Sequence, residues 1–364
     1  MPDGTGPPET GHPDGFPRTA PERLAAFPER LYVWSFPRWK WRFVRRCFPD
    51  RELRFTATAD RIRGPAGVVL WGSAPVPAGL PTGMPVLRME DGFLRSVGLG
   101  AELVRPLSWV VDTRGLHYDA RAPSDLEGLL QHAAFPSADL GRAARFRDAL
   151  VAAGASKYNV GRRRWQRPSG ARRVLLVPGQ VESDAAMAGG APGIRHNLAL
   201  LRTVREAHPG ALVVYKPHPD VEAGLRRSGA GEDQAARWCD AVVTGVPMEA
   251  LLAEVDEVHT LTSLTGFEAL LRGIPVTCYG QPFYAGWGLT TDTWPVPRRQ
   301  RTLSVDALTA AALLWYPLYL GRDGPTTPEA ALEELCRWKS RAQGKDPWWQ
   351  GLYRALLRQA IGVR

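Results

Sequence analysis

The chain has 364 residues, and its content of 44% hydrophobic and 23% charged residues is that of a globular protein with room for two domains. Its net charge of +9 would suit a polyanion, but the positive residues are interleaved with Asp and Glu. Because no helix-turn-helix, zinc-finger or RNP pattern occurs either, we expect no nucleic-acid partner. The four cysteines are scattered without a CxxC pair, which argues against a disulfide framework or a zinc site.

Residues 1–28 predict a disordered tail, because they are rich in Pro and Gly and lack the apolar core of a signal peptide. No later window is apolar over the length needed to span a bilayer, since the longest, residues 307–320, is interrupted by Pro317. We therefore expect a cytoplasmic protein that is either soluble or peripheral at a membrane. Two basic and aromatic clusters, residues 39–46 and 162–167, fit an anionic surface or a polyanionic substrate, and equally a solvated helix face and a linker.

Apolar strand patterns alternate with helical patterns along the chain. In the first half they predict strands over residues 31–35, 67–72, 85–89 and 107–112, a helix opened by a capping box at 124–127, and a helix over 138–154. In the second half they predict strands over 173–178, 211–215, 241–244, 257–260 and 275–279, with helices over 194–206 and 265–272. Helical patterns over 304–315, 329–341 and 348–361 close the chain. Because strands that alternate with helices form parallel sheets, we expect an α/β protein with two domains, residues 29–165 and 166–303, and a cleft between them.

The most distinctive motif is the sequence KPHPD at residues 216–220, directly after the buried strand over 211–215. Its prolines stop the strand and bias Lys216 and His218 towards extended conformations. The carboxyl edge of an open α/β sheet binds ligands, and an ammonium beside an imidazole donor suits a phosphate. The motif also fits an ordinary strand end with a solvated lysine.

Two further strand ends carry carboxylates. The sequence EDGFLRS at residues 90–96 places Glu90 and Asp91 in a tight turn, where one of them can act as a general base or where both face water. The loop PGQVESD at residues 178–184 presents carboxylates and an amide at the mouth of another strand. Such carboxylates are costly unless they are solvated or used.

The segment TSLTGFEA at residues 262–269 places hydroxyls and a glycine before a helix, which is a generic anion site. Ser263 or Thr265 fits a simple N-cap role as well. Glu268 would repel a phosphate, so we expect it to reach a sugar hydroxyl such as that of a ribose. The aromatic loop over residues 279–288 fits stacking on a base or sugar ring, or packing in the interior.

The order of the motifs EDGFLRSVGLG, PGQVESDA, YKPHPDV and LTSLTGFEALLRGIPVTCYGQPFYAGWGLT resembles the capsule polysaccharide synthesis family. Within it, the chain resembles the β-Kdo transferases that build the oligo-Kdo linker between capsular polysaccharide and its lipid anchor. The similarity runs from about Tyr32 to Leu320 and includes the weaker echoes SKYN at residues 156–159 and YPLY at 316–319.

The resemblance implies a GT-B glycosyltransferase with two Rossmann-like domains and with C-terminal helices, residues 304–364, packed back on the first domain. It implies transfer of Kdo from CMP-Kdo, with retention, to a phospholipid-linked or oligo-Kdo acceptor, and it implies no metal or cofactor. It also implies a position at the cytoplasmic face of the inner membrane, near capsule assembly and export machinery.

The resemblance assigns roles to single residues as well. Asp184 lies where the family carries a proposed nucleophile, and Glu90 or Asp91 would remove the acceptor proton. The His218-Pro219 pair matches the motif that contacts the nucleotide phosphate. The remaining donor-binding candidates are Gln180, Glu182, Lys216, Ser263, Thr265, Gly266 and Glu268. For the sugar carboxylate, Arg95 or Arg195 could supply a bidentate fork, unless both are ordinary surface residues.

Many linker-building members of the family carry two transferase modules, whereas this chain has one copy of each motif, so we expect it to form one type of linkage. Two alternatives stay open. One is an inverting, sialyltransferase-like CMP-sugar transferase in which Asp91 is the base and Asp184 is structural. The other is a non-enzymatic capsule assembly or export protein. The pattern over residues 348–361 fits an interfacial membrane helix as well as a docked one.

Overall fold

The computed structural model describes residues 15–98, 105–322 and 324–342, which contain both helices and strands. The first group of elements is α1 (Ala20–Leu24), β1 (Arg30–Trp34), α2 (Trp41–Cys47), β2 (Glu52–Thr56), β3 (Gly67–Trp71), β4 (Val86–Asp91), β5 (Ser108–Asp112), α3 (Asp125–His132) and α4 (Ser137–Ala152). The second group is β6 (Val174–Pro178), α5 (Ala185–Gly190), α6 (Asn197–Ala207), β7 (Leu212–Lys216), α7 (Pro219–Glu222), β8 (Ala241–Val242), α8 (Met248–Leu252), β9 (Glu257–Thr260), α9 (Leu264–Leu270), β10 (Val276–Cys278) and β11 (Thr291–Asp292). The last group is α10 (Val305–Thr309), β12 (Pro317–Leu320), β13 (Pro325–Thr326) and α11 (Pro328–Ala342).

The first sheet has seven strands in the order β2-β1-β3-β4-β5-β12-β13. Strands β1 to β4 run parallel, with β-branched and aliphatic residues such as Val33 and Val69 fully buried. Strand β5 runs antiparallel to β4, so the prediction of a wholly parallel sheet is wrong here. The described parts of the β4–β5 connection, residues 92–98 and 105–107, contain no helix. An antiparallel neighbour requires no crossover helix, so β5 can lie directly beside the strand that precedes it.

The second sheet has six strands, all parallel, in the order β8-β7-β6-β9-β10-β11. The strand order reverses between β6 and β9, as in a Rossmann-like sheet, and the predicted α/β class is thereby confirmed. Loops leave the carboxyl ends of β6 and β9 side by side at this reversal, and the loop of β7 lies next to them. Ligands of such sheets bind at that edge.

The last described segment returns to the first sheet. After α10 the chain continues as a π-helix, Ala310–Trp315, that packs on α4, and it then adds β12 and β13 to the sheet. Pro317 opens β12, a position where a missing N–H is tolerated. The helices predicted over residues 304–315 and 329–341 are present, whereas β12 and β13 between them were not predicted. Residues 348–361 lie outside the described ranges. Within those ranges, no helix is long and apolar enough to cross a bilayer.

Helix α1 lies inside the stretch predicted to be a disordered tail. Thr19 and Glu22 form a capping box at its start, and Arg23 is buried with only 7% of its surface exposed. The Arg23 guanidinium donates to the Tyr316 carbonyl over 2.8 Å and lies 3.3 Å from Asp125. The tail prediction is therefore wrong for residues 15–28, because these long-range contacts leave no mark in local composition. Residues 1–14 lie outside the described ranges.

The basic and aromatic cluster over residues 39–46 is not a surface feature throughout. Lys40, Phe43 and Val44 are buried, and Arg46 donates to the Gly321 carbonyl over 2.8 Å. The alternation of aromatic and basic residues here reflects a helix with one face in the core, so the interpretation as an anion-binding surface does not hold for its buried members.

Apolar packing and a buried ion pair join the two sheets. The Phe93 ring, which follows β4, lies 4.7 Å from the Phe283 ring beyond β10, measured between centroids. Arg299 Nε lies 2.9 Å from Glu127 Oε2 on α3, and both side chains are less than 10% exposed. The boundary between the sheets is thus part of the protein core.

Candidate active site

The carboxyl end of β4 places two adjacent carboxylates at the boundary between the sheets. Asp91 Oδ2 accepts a hydrogen bond from Arg95 Nε over 2.7 Å, and Asp91 Oδ1 lies 3.7 Å from Lys40 Nζ. Burial would raise the pKa of Asp91, but the two cations outweigh it and hold the pKa below its usual value. Asp91 is therefore an anion that the chain itself neutralises.

Lys40 is held in a cage of three tryptophans. Its Nζ lies 2.8 Å from the ring centroid of Trp71, 5.1 Å from that of Trp39 and 5.5 Å from that of Trp109. Aromatic faces attract cations. Burial, opposed by Asp91, lowers the pKa of Lys40 to about 8. Sequence reasoning missed this residue, because nothing in a basic and aromatic cluster tells which cation turns inward.

Glu90 is in the opposite electrostatic state. Its Oε1 accepts from the Asp91 backbone N–H over 2.9 Å, and its Oε2 accepts from the Tyr118 hydroxyl over 3.4 Å. Burial, reinforced by the charge of Asp91, raises the pKa of Glu90 to about 7. Adjacent carboxyls whose pKa values are driven apart are typical of acid–base sites, and Glu90 is the member that exchanges a proton near neutral pH.

On the second sheet, the KPHPD turn leaves the carboxyl end of β7 as predicted. His218 Nδ1 accepts from the Asp220 backbone N–H over 3.1 Å, so the proton of the neutral ring is on Nε2. Burial, with the charges of Lys157 and Arg226, lowers the pKa of His218 to about 3. Lys216 is 6% exposed, and burial lowers its pKa as well. The turn thus offers a neutral ring donor among several cations.

The loop after β6 contains two residues that brace the fold. Glu182 accepts from the His196 ring over 2.8 Å and from the Asn197 and Ala230 backbone N–H groups over 2.8 and 3.0 Å. Gln180 bonds Thr262 twice, from Nε2 to the hydroxyl over 2.8 Å and from the Thr262 N–H to Oε1 over 2.9 Å. We predicted that both side chains bind the donor. In the structure, both hydrogen-bond to other residues of the chain instead.

Asp184, by contrast, is exposed. Its Oδ1 caps α5 by accepting from the Ala185 N–H over 2.8 Å. Its charge raises the pKa of Tyr118, although burial and Glu90 contribute more, and it also acts on Lys157. Asp184 of the second sheet and Glu90 of the first therefore lie within electrostatic range of the same tyrosine.

Helix α9 begins at the predicted hydroxyl cluster. Ser263 Oγ accepts from the Thr265 N–H over 3.2 Å, which is an N-cap, and no bond to a ligand is needed to explain it. Gly266 leaves space for Tyr284, whose hydroxyl donates to the Ser263 carbonyl over 2.5 Å. Glu268 is only 7% exposed, and burial raises its pKa to about 7.

The segment of residues 156–159, only a weak echo in sequence, joins the two sheets. The Lys157 N–H donates to Glu268 Oε1 over 2.8 Å, and its carbonyl accepts from the Ser96 N–H over 3.4 Å. The Tyr158 ring lies edge-on to His218 at 5.9 Å. Sequence reasoning missed Lys157 and Tyr158, because the motif that contains them is only four residues long and follows no predicted strand.

The two arginines proposed for the sugar carboxylate have other contacts. Arg95 is 2% exposed and paired with Asp91, and its Nη1 donates to the Ser96 hydroxyl over 3.1 Å. Arg195 is exposed, and its Nε donates to the Ala191 carbonyl over 3.0 Å. Among the described residues, no group of three or more His, Cys, Asp and Glu side chains is placed to hold a metal ion.

A sequence profile of the family described as capsule polysaccharide biosynthesis protein matches residues 78–169 and 162–319. The chain belongs to this family. The capsule polysaccharide modification protein LipA of Neisseria meningitidis serogroup A is 42% identical over 347 residues, which cover 91% of this chain and 48% of LipA. This member of the family thus spans about half the length of that relative.

Two solved structures share the architecture. The β-Kdo 2,7 transferase of KpsC from Thermosulfurimonas dismutans is 38% identical with a TM-score of 0.71, over 85% of this chain and 99% of that one. The β-Kdo 2,4 transferase of the same protein is 30% identical with a TM-score of 0.71, over 84% and 97% of the two chains. The resemblance inferred from the motifs is thereby confirmed.

Proposed function

We propose that this chain is a GT-B glycosyltransferase that transfers Kdo from CMP-Kdo, with retention, to a phospholipid-linked or oligo-Kdo acceptor. The observation that supports it most is the meeting of two kinds of group at the boundary between the sheets. Lys216 and the neutral ring donor of His218 follow β7 of the second sheet, and the carboxyl groups of Glu90 and Asp184 act on Tyr118 from the two sides. The similarity to two solved β-Kdo transferases supports the choice of donor.

In the proposal, the KPHPD turn binds the phosphate of CMP. The Nε2–H of His218 donates to a phosphate oxygen, and the Lys216 ammonium neutralises the charge that grows as CMP departs. Lys216 is only 6% exposed, and a cation held away from water needs less reorganisation during the reaction than a solvated one. As proposed, the reaction uses neither a metal nor a cofactor.

Two displacements at the anomeric carbon give retention. An Asp184 carboxylate oxygen forms a bond to this carbon while the bond to the phosphate oxygen breaks, and CMP leaves with the electron pair. The acceptor hydroxyl then attacks the same carbon, Glu90 takes its proton, and the Asp184 carboxylate is released. Retaining glycosidases use the same division of work between two carboxyl groups.

The inverting alternative with Asp91 as the base receives less support. A general base must gain a proton in the reaction, whereas Arg95 and Lys40 hold the pKa of Asp91 low. In the proposal, Asp91 instead orders these cations beside Glu90.

The acceptor class sets the proposed location. A phospholipid-linked acceptor would place the enzyme at the cytoplasmic face of the inner membrane, close to capsule assembly and export machinery.

The deciding experiment incubates the purified protein with freshly prepared CMP-Kdo and a synthetic Kdo-lipid acceptor. We expect release of CMP together with an acceptor extended by one β-linked Kdo, identified by NMR of the anomeric centre. An α-linked product would show that the reaction is a single inverting displacement and not a double displacement. Absence of transfer to Kdo-lipid and to lysophospholipid acceptors alike would contradict the proposed function.

A further inference from the structure

The ammonium of Lys157 lies at the point where the two sheets meet. Its backbone is fixed on both sides, since its N–H donates to Glu268 over 2.8 Å and its carbonyl accepts from Ser96 over 3.4 Å. Its Nζ lies 5.3 Å from the Tyr158 ring centroid. Its charge offsets part of the rise that burial causes in the pKa of Glu90 of the first sheet, and it adds to the fall that burial causes in the pKa of His218 of the second. Residue 157 is therefore held where the two sheets meet, beside the candidate site.

Lys157 differs from two other lysines of the described chain in its partners. Lys40 lies 3.7 Å from Asp91, and Lys339 lies 3.5 Å from Glu249. For Lys157, no carboxylate within the described ranges comes within the 4.0 Å of an ion pair, although Asp91 and Asp184 act on it from further away. Burial would lower the pKa of Lys157, but Tyr158, Asp184 and Asp91 raise it above its ordinary value, so the ammonium stays charged without a carboxylate in contact and can bind the anion of a ligand.

We propose that Lys157 binds the carboxylate of the donor sugar, and this inference rests on the proposed function. In CMP-Kdo the carboxylate is attached to the anomeric carbon, which also carries the phosphate oxygen and receives the nucleophile. The carboxylate must therefore lie between the phosphate site at His218 and the carboxylates at Glu90 and Asp184. Lys157 lies at this junction, because its backbone bonds Glu268 of α9 on one side and Ser96 after β4 on the other, and the adjacent Tyr158 ring lies 5.9 Å from the His218 ring.

The arginines are less suited to this role. Arg95 is already paired with Asp91 over 2.7 Å, so binding a second carboxylate would break a buried contact. Arg195 is exposed on the loop after α5, bonded to the Ala191 carbonyl. Lys157 thus selects donors that carry a carboxylate at the anomeric carbon, which separates 2-keto-acid sugars from ordinary aldose donors.

The test compares equilibrium binding of CMP and of freshly prepared CMP-Kdo by titration calorimetry, in an Asp184→Asn background that prevents sugar transfer to the protein. The variant Lys157→Met removes the charge and keeps the length of the side chain. We expect it to bind CMP-Kdo about tenfold or more weakly, the effect of a lost hydrogen bond to a charged group, and to bind CMP as before. Lys157→Arg should recover part of the CMP-Kdo affinity.

Lys216→Met is the matched control, since the phosphate is common to both ligands and this variant should weaken both. Equal weakening of CMP and CMP-Kdo by Lys157→Met would move Lys157 to the phosphate and overturn the inference, as would unchanged binding of both. A parent protein that binds CMP-Kdo no more tightly than CMP would overturn the proposed donor and the inference together. Melting temperatures within about 2–4 °C of the parent, the shift expected for roughly 1 kcal/mol in larger domains, would verify that each variant is folded.

Discussion

Arg95 Nε donates to Asp91 Oδ2 over 2.7 Å, and this pair decides which of two adjacent carboxyl groups keeps its charge. Arg95 and Lys40 keep Asp91 ionised, and burial together with the negative charge of Asp91 raises the pKa of the neighbouring Glu90. The sequence left open whether Glu90 or Asp91 is the general base. In the structure, Asp91 is a structural anion, and Glu90 is the group that titrates near pH 7.

The Arg95–Asp91 pair predicts a stability effect. Arg95→Met leaves the Asp91 carboxylate with only the more distant Lys40, so we expect the free energy of unfolding to fall by up to about 3 kcal/mol, measured by urea denaturation. The double variant Arg95→Met with Asp91→Asn should recover part of the loss, because no unpaired charge remains. Unchanged stability combined with weaker CMP-Kdo binding would instead support the prediction that Arg95 binds the sugar carboxylate.

Glu90 predicts the pH dependence of transfer. A general base acts only when deprotonated, so kcat/KM should rise with pH and level off above its pKa of about 7. Glu90→Gln should lower kcat/KM by roughly 10²–10⁴-fold and abolish this rise. Initial rates between pH 5.5 and about 8.5 measure both effects, a range chosen to bracket that ionisation. A variant that retained the inflection would place the base elsewhere.

Asp184 allows the nucleophile and helix-cap roles to be separated. Asn caps a helix about as well as Asp, so Asp184→Asn should leave the melting temperature near that of the parent. An amide is not a nucleophile at this centre, and we expect transfer to fall by at least about 10³-fold, in the range seen when acting groups are removed. Rates of CMP release report the loss. Turnover close to that of the parent would contradict the double displacement.

His218 offers a matched pair of substitutions. Asn places an acceptor near the position of Nδ1 and keeps the bond from the Asp220 N–H, whereas Gln extends a donor towards the position of Nε2. We expect His218→Asn to weaken CMP binding by about tenfold and His218→Gln to weaken it less. Calorimetric titration with CMP measures both. Equal CMP affinities for the parent and both variants would show that His218 does not bind the phosphate.

Glu268 predicts a change of stability with pH. Burial raises its pKa to about 7, above the ordinary 4.5, so its contribution to stability is fully present below pH 4.5 and is lost as the pH rises through about 7. Glu268→Gln stays neutral and can keep the bond from the Lys157 N–H. Relative to the parent, it should gain about 1–3 kcal/mol between pH 5 and pH 8, measured by denaturation at both pH values. A difference that is independent of pH, or a loss of CMP affinity, would favour the ribose contact instead.

Strand-end chemistry was predictable from the sequence because strands are local. Asp91 at the end of β4, His218 just after β7 and Asp184 in the loop after β6 were placed correctly, since an apolar run followed by proline, glycine or carboxylates marks a strand and its exit. The roles of Glu182 and Gln180 were less accessible. Their partners His196 and Thr262 lie 14 and 82 residues away in the chain, a separation that no local pattern records.

The sequence by itself determined the α/β class, the order of the motifs and the family, because each depends on short stretches of residues read in order. The tertiary structure alone decided that Arg95 neutralises Asp91, that Lys40 lies among tryptophans, and that Lys157 lies where the two sheets meet. Charge states and partners in a buried site depend on distances and on exclusion of water. Both quantities arise only when strands remote in sequence pack against one another.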